Sequence, residues 1–308
     1  MAVTSIRRPA LAALLAVAAA VCAAALTTPA HAASGAVAPG SRYLALGDSV
    51  TFGYQEPGVV PAPNYANAAS FVNYPQELGA VLGLKVTNAA CPGETSASFI
   101  NPSAQSNGCE NRIGPSGTLV PGGYRTLYPL HVNYKGSQLA FAVAFLRAHR
   151  SVRLVSLTIG PNDYFVCQKT TASACTSQAD LSALLARIGA NVRRILSAIR
   201  GRARYRGQLA VVDYYSLNYA SPFISGLVRR LNRTLNRAAK PFGRVVADGY
   251  AEFAAAAVHS ANDPCAAGLL TQLGQPGTCG IHPTYAGHAL LAQAVGKAIR
   301  PSAIHLTG

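Results

Sequence analysis

Short apolar runs alternate along the chain with longer segments in which apolar residues recur at helical spacing. The runs at 42–46, 84–88, 153–159, 208–213 and 244–247 are short and apolar, four of them contain β-branched residues, and they predict strands. The segments 74–82, 136–149, 180–199, 226–239 and 284–299 predict helices, with Asp180 and Thr284 as N-caps. This alternation predicts an α/β fold with a central parallel sheet and helices on both of its faces.

Two long segments, 54–73 and 98–130, have no regular pattern. Irregular segments of this length are usually functional or disordered. The first follows the first strand and its turn directly, so we expect it to line or cover a crevice there. Its apolar, aromatic stretch from Phe52 to Tyr74 predicts a wall that accommodates an acyl group. No repeat or linker divides the chain, which predicts one domain over residues 33–308.

The first 32 residues have the pattern of a secretory signal peptide. Arg7 and Arg8 precede an apolar stretch at 10–26, and Ala30-His31-Ala32 forms a cleavage site with small outer residues. Cleavage there predicts a secreted, extracellular protein, with a retained membrane anchor as the alternative. No later segment of the sequence is apolar for long enough to span a bilayer.

Cysteine usage agrees with export. Besides Cys22 in the apolar stretch, the chain has six cysteines, and an even number in an exported protein predicts disulfide bonds. Neighbours in sequence suggest the pairs Cys91 with Cys109, Cys167 with Cys175, and Cys265 with Cys279. A zinc site is the rival interpretation, but no Cys-x-x-Cys spacing supports it.

The chain is strongly basic. Without Arg7 and Arg8 it has 24 basic and 11 acidic residues, and its arginines cluster at 193–206 and 229–237. These clusters lie on predicted helices and are not interleaved with aromatic residues, which argues against specific nucleic-acid binding. They form either a solvated face or a surface attracted to anionic membranes or cell walls. We expect a monomer.

The turn Gly47-Asp48-Ser49 follows the first predicted strand. Ligands of open α/β sheets bind at the carboxyl ends of the strands, where backbone N–H groups and helix N-termini favour negative charge. A serine hydroxyl at that position is a candidate nucleophile. The alternative is that Asp48 and Ser49 only cap a helix.

Three further segments carry groups that suit this serine. Gly93 follows the second strand with an unobstructed N–H, Asn162 follows the third, and His282 precedes the last helix. Gly93 and Asn162 are each ordinary turn residues in isolation, and His288 suits packing or capping better than catalysis. Together, a hydroxyl, an imidazole and fixed N–H donors are the parts that acyl transfer needs.

The chain resembles the SGNH hydrolases, or GDSL lipase/esterase family, over nearly all of its mature sequence. The matching residues are Gly47-Asp48-Ser49-Val50 with Gly53, then Gly93, then Gly160-Pro161-Asn162-Asp163, and finally His282-Pro283. The resemblance implies a three-layer α/β/α sandwich of the flavodoxin-like type. It implies Ser49 as nucleophile, His282 as general base, an oxyanion hole from Ser49, Gly93 and Asn162, and no metal or organic cofactor. The six cysteines look most like those of the secreted, disulfide-bonded bacterial branch.

One position departs from the family. An aspartate usually lies three residues before the histidine, but this chain has Cys279 there. We expect a Ser–His dyad whose imidazole is oriented by a backbone carbonyl at or near Cys279, with Asp263 as the alternative acid. The sequence thus predicts a secreted esterase or lipase acting on acyl esters or lipids. Polysaccharide deacetylation, acyl transfer and non-catalytic surface binding remain alternatives.

Overall fold

A computed structural model of the protein describes residues 1–2, 35–275 and 277–299. The strands in chain order are β1 (Arg42–Gly47), β2 (Lys85–Asn88), β3 (Asn111–Ile113), β4 (Leu119–Pro121), β5 (Val152–Thr158), β6 (Gln208–Val212), β7 (Arg244–Ala247), β8 (Leu270–Gln272) and β9 (Cys279–Pro283). The α-helices are α1 (Ser49–Phe52), α2 (Tyr74–Leu82), α3 (Tyr124–Leu127), α4 (Gln138–Ala148), α5 (Pro161–Thr170), α6 (Gln178–Ser197), α7 (Pro222–Ala239), α8 (Gly249–Ala257) and α9 (Tyr285–Ala298).

Five of the strands form one parallel sheet in the order β2-β1-β5-β6-β7. β1 is buried along almost its whole length because it pairs with β2 on one side and β5 on the other. The order in which strands are added to the sheet reverses between β1 and β5. Such a switch point opens a crevice at the carboxyl ends of the strands. Gly47, the last residue of β1, is aligned there with Thr158 of β5.

Helices cover both faces of the sheet. α2, α8 and α9 pack together on one face, whereas α6 packs against α7 and its C-terminal turn packs against α4 on the other. α6 and α7 are amphipathic: their buried leucine, isoleucine and valine side chains recur at helical spacing, with arginines between them. The protein is therefore a three-layer α/β/α sandwich, as the sequence predicted.

All five predicted strands and all five predicted helices are present, with ends shifted by a few residues. Thr284 caps α9 as expected. The prediction that Asp180 caps its helix was wrong, because α6 begins earlier and Ser177 accepts the N–H of Asp180. Among the helices longer than one turn, two were missed: α5 has little apolar periodicity, and α8 is largely alanine.

Three disulfide bonds close short loops: Cys91–Cys109, Cys167–Cys175 and Cys265–Cys279. These are the neighbours in sequence that were expected to pair. The predicted signal peptide lies outside the described residues, apart from Met1 and Ala2. In the described part of the chain, no helix is both long and apolar enough to cross a membrane.

Candidate active site

Ser49 lies in a tightly held turn at the carboxyl end of β1. Gly47 has φ +145°, and a Cβ there would lie 2.1 Å from the carbonyl oxygen of Thr158, so only glycine fits. Gln138 fixes the same residue by accepting its N–H at 2.6 Å and donating to its carbonyl oxygen at 2.9 Å. Asp48 caps α1 through the N–H of Val50. α1 is a single turn of four residues, so this turn geometry, and not a long helix, places the hydroxyl.

The loop that carries Gly93 is held from two sides. Gly93 has φ +83°, and a Cβ there would lie 2.7 Å from the carbonyl oxygen of Asn107. The carbonyl oxygen of Gly93 accepts the N–H of Asn107 at 2.8 Å. Three residues along the loop, Ser96 donates its N–H and its hydroxyl to the two carboxylate oxygens of Asp163, at 2.8 and 2.6 Å. The position of Gly93 is therefore tied to α5.

Asn162 lies in the first turn of α5. Its Oδ1 accepts from Nδ2 of Asn107 at 2.9 Å, and Lys169 donates to Oδ1 of Asn107 at 3.3 Å. Among the described residues, no acceptor takes Nδ2 of Asn162 or the backbone N–H of Ser49 or Gly93. All three residues line one cavity. Three N–H donors without a protein acceptor are thus gathered at the edge of that cavity.

His282 reaches the same cavity from the C-terminal part of the chain. It was expected in a loop, but it lies in β9 of the two-stranded ribbon β8–β9, just before α9. Its ring meets the ring of Tyr54 edge-on, with 5.1 Å between centroids. Ser49 and His282 are 9% and 7% exposed. No hydrogen bond joins these two residues in the described part of the chain. In serine hydrolases such bonds often tighten only when substrate binds.

A carboxylate that the sequence did not reveal faces the other side of the imidazole. Oε1 of Glu56 lies 2.7 Å from Nδ1 of His282. A backbone carbonyl at or near Cys279 was expected there, with Asp263 as the alternative, and the structure places Glu56 there instead. Asp263 accepts the N–H of Cys265 at 2.8 Å and so stabilises a turn. A signal was available, since Glu56 is the one acid between Asp48 and Glu77.

Burial changes the protonation of several acids around the site. Burial raises the pKa of Asp48 to about 7, although the hydroxyl of Tyr214 donates to its carboxylate. Burial likewise raises the pKa of Asp163 to about 6 against its bonds from Ser96. For Glu56, burial alone would raise the pKa, but contacts with His282, Thr271 and Ile281 lower it to about 2. Glu56 is therefore ionised at neutral pH.

The cavity has a volume of about 670 Å³ and is mostly apolar. Much of its lining comes from α5, α6 and α7, with side chains that include Phe165, Leu184, Leu185, Ile188, Phe223, Leu227, Val228 and Leu231. The expectation that the segment from Phe52 to Tyr74 forms this wall was wrong, because only Tyr54 of that segment lines the cavity. Phe52 and Phe71 are instead buried in a separate aromatic cluster with Tyr124.

One cluster of potential metal ligands was tested against this assignment. Within the described ranges, one group of potential ligands lies close enough together to hold an ion: Cys91, Glu94 and Cys109. The two cysteines are bonded to each other and offer no thiolate. The zinc interpretation of these cysteines therefore has no support.

Comparison with known proteins gives a family. The GDSL-like lipase/acylhydrolase family matches residues 45–290, a range that includes Ser49, Gly93, Asn162 and His282. The chain belongs to this family. No curated protein matches it at a significant level. As a GDSL-type protein it is a carboxylic ester hydrolase.

Solved structures of other ester hydrolases share the fold. A lipase from goat rumen metagenome has a TM-score of 0.53 and 14% identity, covering 85% of this chain and 99% of that one. Phospholipase A1 from Streptomyces albidoflavus NA297 has a TM-score of 0.51 and 19% identity, covering 84% and 99%. A catalytic mutant of an acetylxylan esterase from Geobacillus stearothermophilus has a TM-score of 0.51 and 16% identity, covering 86% and 96%. At these identities the likeness shows the fold alone.

Proposed function

We propose that this GDSL hydrolase is a secreted serine esterase or lipase that cleaves carboxylic esters through an acyl-enzyme on Ser49. One observation carries the proposal. Ser49, His282 and the three N–H donors without a protein acceptor all lie on one apolar cavity. A nucleophile, a base and an oxyanion site are the parts of acyl transfer, and the cavity gives the acyl group a place to lie.

Each part has a role in the reaction. The Oγ of Ser49 attacks the ester carbonyl carbon while Nε2 of His282 takes its proton, and the N–H groups of Ser49, Gly93 and Asn162 hold the oxyanion. His282 then gives the proton to the alcohol oxygen as the C–O bond breaks. Water attacks the acyl-enzyme in the same way, with His282 as base, and releases the acid and free Ser49. No metal or organic cofactor takes part.

The lining of the cavity supports an apolar acyl group as substrate. Aliphatic and aromatic side chains of α5, α6 and α7 form most of it, and few polar groups lie beyond the oxyanion donors. A fatty or short acyl chain loses contact with water there, which favours binding by about 0.8 kcal/mol for each buried methylene. The acetyl group of a polysaccharide would leave most of this volume unfilled. Deacetylation and acyl transfer use the same residues and are separated by experiment.

The surface near the cavity supports attraction to anionic lipid. Phe223 is 61% exposed and lines the cavity. On the same helix, Arg229, Arg233 and Arg237 are exposed and form no ion pair with any described residue. Exposed cations beside an apolar side chain suit the interface of an anionic membrane. Sedimentation of Ser49→Ala with vesicles tests this: binding to phosphatidylglycerol and not to phosphatidylcholine supports it, and equal binding contradicts it.

The main test is hydrolysis of p-nitrophenyl esters of graded chain length, run beside release of acetate from acetylated xylan. We expect turnover of the acyl esters, a fall of at least about 10³-fold in Ser49→Ala, and covalent modification of Ser49 by an alkyl phosphonate. Acetate release without acyl-ester turnover would favour the polysaccharide deacetylase. Full activity in Ser49→Ala would refute the mechanism. Export is tested by N-terminal sequencing of protein recovered from culture medium, which should begin at Ala33.

A further inference from the structure

We propose that Glu56 is the acidic member of a Ser49–His282–Glu56 triad, a positioning residue supplied by the segment that follows the nucleophile. The inference rests on the proposed function and adds a residue to it. Oε1 of Glu56 lies 2.7 Å from Nδ1 of His282, and the side chains are 18% and 8% exposed. A largely buried carboxylate this close to an imidazole fixes the ring and stabilises its charged form.

The carboxylate of Glu56 is itself held in place. Oε1 also accepts the N–H of Ile281 at 2.5 Å and the N–H of His282 at 3.1 Å, and Oε2 accepts the hydroxyl of Thr271 at 2.6 Å. A Cβ on Gly280 would lie 2.3 Å from Oε1 and 2.4 Å from Cδ of Glu56. Glycine at 280 therefore leaves the space that the carboxylate occupies. Three donors and this space form a built site for one carboxylate beside the catalytic imidazole.

Other groups do not fill this role. The position three residues before the histidine is Cys279, which is bonded to Cys265 and carries no carboxylate. Asp263 is engaged with the N–H groups of Cys265 and Ala266. Within the described residues, Glu56 is the one acid that forms an ion pair with His282.

The chemistry explains why an acid is useful at this point. When Nδ1–H faces a carboxylate, Nε2 is left unprotonated and free to take the proton of Ser49. The same carboxylate stabilises the imidazolium that forms during attack. Because Glu56 lies in the chain segment that follows the nucleophile and bonds to β8 and β9, it also ties that segment to the base. Experiment must therefore distinguish whether Glu56 acts as the triad acid or only holds this segment against β8 and β9.

The test compares three substitutions and uses Glu56→Asp as a conservative rescue variant. Glu56→Gln keeps the shape and removes the charge; Thr271→Val removes only the hydroxyl donor to Oε2; Asp263→Asn alters the acid once expected to serve. With p-nitrophenyl butyrate we expect kcat of Glu56→Gln to fall about 10³- to 10⁴-fold with KM changed less than about threefold. Thr271→Val and Asp263→Asn should each stay within about tenfold of wild type, and Glu56→Asp should recover part of the loss.

A spectroscopic measurement distinguishes an acid that orients the imidazole from one that only holds its chain segment in place. In proton NMR, the Nδ1–H of His282 facing a carboxylate should give a strongly deshielded resonance that Ser49→Ala and Asp263→Asn retain and Glu56→Gln loses. Equal losses in Glu56→Gln and Thr271→Val, or less than a tenfold loss in a folded Glu56→Gln, would overturn the proposal and favour a dyad. If Glu56→Gln does not fold, absence of this resonance in the wild type overturns it. Failure of the proposed function is recognised separately, by activity that survives Ser49→Ala.

Discussion

Asn107 donates its Nδ2–H to Oδ1 of Asn162 over 2.9 Å, and this bond determines which end of the Asn162 amide remains available. Because Oδ1 accepts this hydrogen bond, Nδ2 of Asn162 is left as a donor, and no described residue accepts a hydrogen bond from it. Asn107 is itself located by its backbone bond to the carbonyl oxygen of Gly93. Gly93 and Asn162, the proposed oxyanion donors, are therefore tied together through Asn107.

This relationship predicts the effect of Asn107→Asp. An aspartate at this position only accepts hydrogen bonds, so it would pair with Nδ2 of Asn162 and turn the amide oxygen toward the oxyanion. Loss of one such donor lowers kcat by about 10²- to 10³-fold. We expect this fall in kcat with little change in KM on p-nitrophenyl butyrate. Lys169→Met, which removes the exposed contact to Asn107, is the control and should change kcat less than about threefold. Unchanged kcat in Asn107→Asp would remove Asn162 from the oxyanion hole.

Leu185 of α6 predicts how chain length is selected. It is partly buried and lines the cavity from α6, a helix that carries none of the proposed oxyanion donors. In Leu185→Trp the larger ring fills space that a long acyl chain needs, whereas a two-carbon chain does not reach it. We expect kcat/KM for a dodecanoyl ester to fall at least about tenfold, equivalent to losing roughly two buried methylenes.

Leu185→Met, of similar volume, is the matched control and should leave the chain-length profile unchanged. The acetyl ester should be hydrolysed normally by both variants. A uniform loss on all esters in Leu185→Trp would mean that the acyl chain lies elsewhere.

The fold was predictable because its signal is local. β1, β5 and β6 are buried on both faces and appear in the sequence as continuous apolar runs, and α6 and α7 carry apolar residues at helical spacing. The turns that carry Ser49, Gly93 and Asn162 contain glycine, proline or asparagine, which are typical turn residues. Each of these features follows from a few neighbouring residues.

The residues that support the site were not predictable in this way. Glu56 and His282 are far apart in the chain and meet only because the segment after α1 lies against the β8–β9 ribbon. Asn107 belongs to an irregular segment with no periodicity to place it. The wall of the cavity was assigned to aromatic residues near Ser49, but Phe52 and Phe71 pack in a separate cluster, while helices that begin more than 100 residues later supply much of the lining. Such contacts depend on tertiary structure.

The shifted acids predict how stability depends on pH. Burial raises the pKa of Asp48 to about 7 and of Asp163 and Asp213 to about 6. Each of these carboxyl groups binds a proton more tightly in the folded state than in the unfolded state. The protein therefore loses stability as pH rises from about 4 through 7. Glu56 has the opposite sign: its pKa of about 2 gives stability that is lost as pH falls below about 4.5. Stability should therefore fall between pH 5 and pH 8.

Urea unfolding with the disulfides intact checks this at pH 5 and pH 8. The midpoint should be higher at pH 5 than at pH 8. Asp213, whose carboxylate accepts from Asn236 on both oxygens, lies outside the site and allows a control. Asp213→Asn should reduce the difference between pH 5 and pH 8 without changing kcat. A midpoint that rises steadily from pH 5 to pH 8 would contradict the assignment.

The surroundings of His288, a second buried histidine, predict that it is dispensable for catalysis. It lies in α9, is 1% exposed, and neither ring nitrogen has a hydrogen-bond partner in the described part of the chain. Burial, and to a lesser extent the charge of His282, lowers its pKa to about 3, so it is neutral during turnover.

An unpaired buried polar group costs about 1–3 kcal/mol of stability. His288→Leu should therefore leave the free energy of unfolding unchanged or raise it by about 1 kcal/mol, with kcat within about threefold of wild type. His282→Gln, at the proposed base, should lose at least about 10³-fold in kcat. If His288→Leu were inactive and His282→Gln active, the base would have to be reassigned to α9.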